Sequence, residues 1–304
     1  MILVRHIRRR LATLFLLAAL LAHQQVAIAA PFRVVVSFSI LEDIVRRIGG
    51  DDVAVISLVG PDANEHVFEP SPDQARLLGQ AELFIVNGLG FEGWLTRLVQ
   101  SAQYRGPVVV ATTGIAPITT TEAGAALPAP DPHAWQDVRN VIHYAEIIAR
   151  ALAGNDPAHA DAYRQRFQQY TAELEALDRH VRDALAAIPA AKRRVITTHD
   201  AFAYYGKAYG VTFLAPEGVN AENEPSAKAV AELIRQIRRE GIKALFLENI
   251  PDPRLMQALA RETGATLGPP LYSDALSRPD GPAPTYIRMI EYNTAALRAG
   301  MLKN

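Results

Sequence analysis

Short apolar runs alternate with amphipathic segments along most of the chain. In the first half, β-branched runs at Arg33–Phe38 and Val53–Val59 predict strands, separated by a helical pattern over Leu41–Ile48. Two further apolar runs, Glu82–Val86 and Pro107–Ala111, predict two more strands. Strands that are apolar on both faces and separated by helices are typical of a mostly parallel sheet covered by helices.

The middle of the chain predicts one very long helix. Asp156 followed by Pro157 is a strong helix start, and neither Pro nor Gly recurs before Pro189. Such a helix of roughly 30 residues would be about 45 Å long, which fits a coiled-coil arm or a rigid strut between two lobes. Its apolar positions recur at spacings of three and four: Tyr163, Phe167, Tyr170, Leu174, Leu177, Val181, Leu185 and Ile188.

A second series of strands and helices directly follows this helix, which favours the strut. We therefore expect an α/β protein of two similar lobes, each a small, mostly parallel sheet flanked by helices. The expected boundaries are an N-terminal lobe at 30–155, a linking helix at 156–188 and a C-terminal lobe at 189–304. Two segments without periodicity are predicted as loops: Thr113–Pro132 and Glu217–Pro225.

Residues 1–29 have the pattern of a cleaved signal peptide. Four arginines precede an apolar run, Leu11–Ala22, that is too short to span a bilayer, and Ala27 and Ala29 precede the expected cleavage site. We therefore expect a periplasmic protein. The sequence contains no cysteine, so we expect no lipid anchor, disulfide or thiolate metal site. Losing the four arginines changes the formal charge from −1 to −5, which argues against a nucleic-acid partner.

Three histidines fall where a strand or an extended segment gives way to a loop. His66 follows the second predicted strand, His133 ends the long loop, and His199 follows a strand of the second series. Asp274 has a comparable position after the last extended stretch. Ligand sites in open α/β sheets lie beyond the carboxyl ends of strands, so these side chains are candidates for one shared site. Each alone fits a capping role. The other histidines after residue 29 are predicted to be surface or capping residues: His143, His159 and His180.

The segments around these four residues resemble the ligand motifs of one known family. In chain order they are similar to motifs of the zinc- and manganese-binding solute-binding proteins of bacterial ABC transporters. The resemblance covers essentially the whole mature chain and implies a metal site in a cleft between lobes, with His66, His133, His199 and Asp274 as ligands. The segments are Gly60–Pro72, Asp131–Trp135, Thr198–Phe202 and Tyr272–Leu276.

Three imidazoles and one carboxylate satisfy tetrahedral Zn²⁺ and leave no open position, which suits carriage better than hydrolysis. Manganese prefers oxygen ligands, and the family's manganese carriers more often place a glutamate where this chain has His199. We therefore expect Zn(II) as cargo for an inner-membrane ABC permease, with Mn(II) as the alternative. A zinc hydrolase with Asp274 as general base is a competing hypothesis, without an HExxH motif to support it. A siderophore or haem carrier is another.

Several loop residues allow two interpretations. The segment Thr119–Leu127 contains no histidine, unlike the His-rich loop of many zinc carriers of this family, so metal would arrive free or from a periplasmic metallochaperone. The loop Glu217–Pro225, with Glu222 and Glu224, fits a cover over the cleft or a solvated surface loop. We expect a monomer. Candidates for orienting the histidine rings, or for capping loops instead, are Glu65, Asp131, Trp135 and Asp200.

Overall fold

Each half of the chain folds around a parallel sheet of four strands. The computed structural model describes residues 30–64, 66–120, 128–216, 218, 226–249 and 253–304, so the predicted signal peptide lies outside the described residues. The first sheet comprises β1 (Phe32–Phe38), β2 (Val53–Val59), β3 (Leu83–Val86) and β4 (Val108–Val110). A small antiparallel pair follows, β5 (Thr119–Thr120) and β6 (Ala129–Pro130). The second sheet comprises β7 (Arg194–Ile196), β8 (Thr212–Leu214), β9 (Ala244–Leu245) and β10 (Thr266–Leu267).

The two sheets share one strand order. The first runs β2-β1-β3-β4 and the second runs β8-β7-β9-β10, so each follows the order second, first, third, fourth strand. Every pairing within both sheets is parallel. The predicted class of two similar α/β halves is therefore confirmed, although the sequence shows no internal repeat.

Helices cover the sheets and connect successive strands. The helix predicted over Leu41–Ile48 is observed at Ser39–Gly49. The bounds of the helices are α1 (Ser39–Gly49), α2 (Pro72–Gly79), α3 (Leu95–Ser101), α4 (Val138–Asn155), α5 (Ala160–Ala186), α6 (Ala203–Tyr209), α7 (Ala227–Glu240), α8 (Arg254–Thr263) and α9 (Tyr286–Met301). Capping side chains stabilise the first turns of α7 and α9. Ser226 accepts a hydrogen bond from Ala229 N–H, and Thr285 accepts one from Arg288 N–H.

The long helix α5 has 27 residues, and its predicted apolar stripe is largely buried. The start differs from the prediction, because Asp156 does not cap the helix with its side chain. Its carboxylate instead accepts hydrogen bonds from His159 and Tyr163, and a 3₁₀ turn at Pro157–His159 precedes the α-helix. Helix α5 packs against α1 and α4 from the first half and against α6 and α9 from the second.

Residues 32–304 form one compact unit. The lobe boundaries expected at residues 155 and 189 therefore stay a prediction. The segment Thr113–Pro132, predicted as a plain loop, contains the β5–β6 pair, which places Thr119 opposite Pro130. Among the described residues, no helix combines the length and the hydropathy needed to cross a membrane.

Candidate metal centre

Loops that follow the strands bring the four predicted residues together. His66 follows β2, His133 follows the β5–β6 pair, His199 follows β7 and Asp274 follows β10. One ligand-type atom from each residue lies within 4.8 Å of every other. This is the convergence expected beyond the carboxyl ends of parallel strands.

The imidazole Nε2 atoms surround the Asp274 carboxylate. They lie 3.7 Å from an Asp274 oxygen for His66, 3.3 Å for His133 and 3.1 Å for His199. Two donors on a tetrahedral zinc ion are separated by about 3.3 Å, given metal–nitrogen bonds of about 2.0 Å. All four side chains are at most 4% exposed. Within the described part of the chain, none of the three Nε2 atoms has a hydrogen-bond partner. Buried, unpaired donor atoms at this spacing fit a metal ion.

Asp131 orients His133. Its Oδ1 lies 2.8 Å from His133 Nδ1 and also accepts the His133 backbone N–H at 2.9 Å. A carboxylate on Nδ1 favours the tautomer whose Nε2 lone pair is free for a metal. Tyr204 holds Asp131 in turn, because its hydroxyl donates to the Asp131 carbonyl at 2.9 Å. The predicted role of Asp131 thus fits the observed contacts.

Glu248, which the sequence did not predict, positions His199 through a backbone hydrogen bond and a short ion-pair contact to the ring, where Asp131 makes a hydrogen bond to the ring of His133. Glu248 Oε2 lies 2.7 Å from His199 Nδ1, while its Oε1 accepts the backbone N–H groups of Thr198 and His199 at 2.9 and 3.0 Å. Glu248 is only 4% exposed. Glu248 follows β9, which pairs with β7, the strand before His199. An acidic residue at the end of a neighbouring strand was the sequence feature that could have identified it.

The loop that carries Asp274 is held by residues from the first half of the chain. Trp135 Nε1 and Gln136 Nε2 both donate to the Ser273 carbonyl at 2.8 Å. The Leu276 N–H donates to Ser39 Oγ at 3.0 Å. Trp135, a predicted ring-orienting residue, therefore uses its N–H on the Asp274 loop, and its ring lies edge-on to His133 at 5.3 Å.

An aromatic wall closes one side of the centre. Phe91 meets the His66 ring edge-on at 5.4 Å and packs against Trp135 at 4.9 Å. The adjacent Glu92 fixes this loop, because its buried carboxylate accepts the N–H groups of Asn87 and Gly88 at 2.6 and 3.0 Å. Gly88 has φ +88°, and an added Cβ would lie 2.4 Å from Val110, so this turn requires glycine.

Charges within the centre shift the proton affinities of two of its residues. Burial opposes the charged form of His199, but the Glu248 and Asp274 carboxylates outweigh it and hold the pKa of His199 well above its ordinary value. Burial likewise opposes the Asp274 carboxylate, yet His199 and His133 hold the pKa of Asp274 well below its ordinary value. The centre therefore favours a carboxylate beside a protonated His199 ring, and a divalent cation that takes this ring as a ligand has to displace that proton.

The other residues considered in the sequence analysis do not belong to the four-residue cluster. Burial, together with the nearby Asp131 carboxylate, raises the pKa of Asp200. Glu65 and most of the loop Glu217–Pro225, including Glu222 and Glu224, lie outside the described residues. The histidines predicted to be surface or capping residues lie away from the four-residue cluster: His143 against the Thr113 carbonyl, His159 against Asp156, and His180 exposed on α5.

Two parallel sheets, a long helix and a buried cluster of three histidines and one aspartate define a metal-binding protein of the solute-binding class. Residues 34–300 match the family described as zinc-uptake complex component A, periplasmic (ZnuA), and the chain belongs to this family.

Individual relatives match this chain over nearly its full length. The chain is 35% identical to the iron-binding protein YfeA of Yersinia pestis, covering 93% of this chain and 90% of that protein. It is 30% identical to the manganese-binding lipoprotein MntA of Halalkalibacterium halodurans, covering 88% of each. The periplasmic zinc-binding protein TroA of Treponema pallidum superposes with a TM-score of 0.84 at 27% identity, covering 90% of this chain and 99% of TroA.

Membership of this family establishes the general role. The protein is the substrate-binding component of a metal ABC transporter, which implies an ABC permease as its partner. It is a transport protein and not an enzyme, so the hydrolase hypothesis was wrong.

Proposed function

We propose that the protein captures Zn(II) through His66, His133, His199 and Asp274 and delivers it to a membrane ABC permease. The donor set carries this proposal: three imidazoles and one carboxylate, buried and mutually close, complete a tetrahedral shell. A closed shell leaves no position for a reactive water, which suits a carrier. His199 is the decisive residue, because an imidazole at this position favours zinc over ions that prefer oxygen.

Manganese is the second candidate, and one geometric observation favours it. The two oxygens of Asp274 face different histidines, Oδ1 towards His133 and Oδ2 towards His66 and His199. A carboxylate that binds through both oxygens raises the donor count to five, which suits ions with higher coordination numbers. The names of two relatives also favour an ion other than zinc, since YfeA is called iron-binding and MntA manganese-binding.

A competition titration separates these candidates. Metal-stripped protein is titrated with Zn²⁺, Mn²⁺ and, under anaerobic conditions, Fe²⁺, each against a chelator of known affinity. We expect one tightly bound Zn²⁺ and Mn²⁺ binding weaker by at least about a hundredfold, following the ordering of these ions for nitrogen donors. Equal or tighter binding of Mn²⁺ or Fe²⁺ would assign the cargo to that ion instead. Binding of none of the three would exclude metal carriage by this site.

Zinc affinity is expected to fall as the pH is lowered. The pKa of His199 is raised, and a metal binds only the neutral ring, so protons compete with zinc increasingly below that pKa. Each displaced proton costs about tenfold in affinity per pH unit. Titrations at pH 6, 7 and 8 measure this slope, and calorimetry in buffers of different ionisation enthalpy counts the released protons. An affinity that is constant over this range would contradict the assignment of His199 as a ligand.

The cellular setting is part of the proposal. We infer a periplasmic monomer that is exported by residues 1–29 and has no lipid anchor, since the sequence contains no cysteine to carry a lipid. The relative MntA is named a lipoprotein, so mass spectrometry of the protein from a membrane-free fraction is the direct check. The absence of histidine from Thr119–Leu127 supports loading by free metal or by a metallochaperone.

A further inference from the structure

Asp62 hydrogen-bonds to two separate loops from the second half of the chain. Its backbone N–H donates to the Leu276 carbonyl at 3.0 Å, and its Oδ1 accepts the side-chain N–H of Asn249 at 3.0 Å. Leu276 stands two residues after Asp274, and Asn249 directly follows Glu248, the residue that orients His199. Asp62 itself precedes His66 by four residues. Asp62 therefore joins the loop of His66 to the loop of Asp274 through its backbone N–H. Its exposed side chain joins the His66 loop to the segment of Glu248, which contacts His199.

The backbone of Asp62 supports a specific role for this contact. Its φ is +53°, in the left-handed region that is unfavourable for a residue with a side chain. Aspartate and asparagine tolerate this region best among residues that have a side chain. A backbone held there persists only when its surroundings stabilise it, and here the two hydrogen bonds across to the second half do so.

We propose that Asp62 is a positioning residue that holds the ligand loops together and slows the release of bound metal. This inference rests on the proposed function, because it concerns metal held by the same four ligands. Release requires the second-half ligands, His199 and Asp274, to separate from His66. Asn249 follows Glu248, which contacts His199, so moving the His199 side of the centre away from the His66 loop breaks the Asp62–Asn249 hydrogen bond. Moving the Asp274 loop away breaks the backbone hydrogen bond from Asp62 to Leu276. The Asp62–Asn249 contact thus stabilises the metal-holding arrangement and not the separated one, so its loss affects dissociation more than association.

The side-chain contact can be distinguished from a general effect of negative charge. Asp62→Ala removes both the charge and the hydrogen bond, whereas Asp62→Asn removes the charge but keeps an Oδ1 acceptor and tolerates the positive φ. Asn249→Ala removes the same hydrogen bond without changing the Asp62 backbone, and therefore serves as the second variant if Asp62→Ala folds poorly. Asp73→Ala is the control, since Asp73 is an exposed acid that forms an ion pair with Arg76, three residues along the same helix.

The experiment measures zinc release from the loaded full chain into excess chelator by stopped flow, with association rates measured separately. We expect Asp62→Ala and Asn249→Ala to raise the dissociation rate about fivefold, the effect of one lost hydrogen bond, with association unchanged. Asp62→Asn and Asp73→Ala should match the unmodified protein. The double variant Asp62→Ala with Asn249→Ala should release zinc no faster than the faster single variant, because both remove one contact.

The results for Asn249→Ala and Asp62→Asn can each overturn the proposal. An unchanged dissociation rate in Asn249→Ala would overturn the proposal, as would equal acceleration in Asp62→Asn and Asp62→Ala, which would indicate a charge effect. If the unmodified protein held no zinc, the proposed function would fail, and this inference would fail with it. Tight zinc binding with an unaffected Asn249→Ala variant would leave the proposed function intact and reject only the role of Asp62.

Discussion

Replacing His199 with alanine is expected to lower zinc affinity by two to three orders of magnitude while the protein stays folded. Zinc bound by four protein ligands is stabilised by about 10–16 kcal/mol at neutral pH, so one ligand contributes on the order of 3 kcal/mol. The remaining ligands leave one position to water. The loss also leaves Glu248 without its 2.7 Å contact to the imidazole. The competition titration measures the affinity, and circular dichroism checks the fold.

His180→Ala provides the matched control for this variant. His180 lies exposed on the long helix α5, so its loss removes an imidazole and leaves the metal centre intact. Zinc affinity should be unchanged in this variant. If His199→Ala also bound zinc as tightly as the unmodified protein, His199 would not be a ligand, and the zinc assignment that depends on it would be withdrawn.

Glu248→Gln is expected to lower zinc affinity about 10- to 100-fold, although Glu248 does not reach the metal position. The Glu248 Oε1 accepts two backbone N–H groups, so a glutamine keeps its oxygen there and turns its NH₂ towards His199 Nδ1. Two donors then face each other, or the ring proton moves to Nε2, the atom that binds the metal. Either result opposes metal binding. Nitrogen NMR of the imidazole reports which tautomer is present and tests this explanation independently of the affinity.

The control for this second variant is Glu240→Gln. Glu240 forms an ion pair with Arg194 at the opposite end of the strand that precedes His199, so the change is chemically identical but remote from the metal centre. A comparable loss of affinity in Glu240→Gln would show that the effect of Glu248→Gln reflects the stability of this half of the protein instead of the orientation of His199.

Local patterns in the sequence were sufficient to predict most elements and the four converging residues. The strand at Val53–Val59 has the predicted bounds, and the helix predicted over Leu41–Ile48 is observed at Ser39–Gly49, because apolar runs and periodicity specify both locally. His199 was recognisable because it directly follows a predicted apolar strand, and His66 because it lies in the loop after one. Their convergence depended on a general property of parallel sheets and not on any detail of packing.

Local sequence patterns could not predict which side chains meet in the folded protein. Asp156 looked like a helix cap, but a tyrosine and a histidine of the following turns engage its carboxylate. Glu248 lies 49 residues from His199 along the chain, and only the pairing of β7 with β9 brings them together. Trp135 was expected to orient a histidine ring, yet its N–H reaches Ser273, 138 residues away.

The continuous helix α5 has a consequence for recognition at the membrane. It packs against helices from both halves and contains neither proline nor glycine, so it resists bending along its 27 residues. We therefore expect a loaded protein and an empty one to have nearly the same radius of gyration. Overall dimensions would then carry almost no information about the cargo, and a permease would have to recognise the loaded state from the local surface formed by the ligand loops.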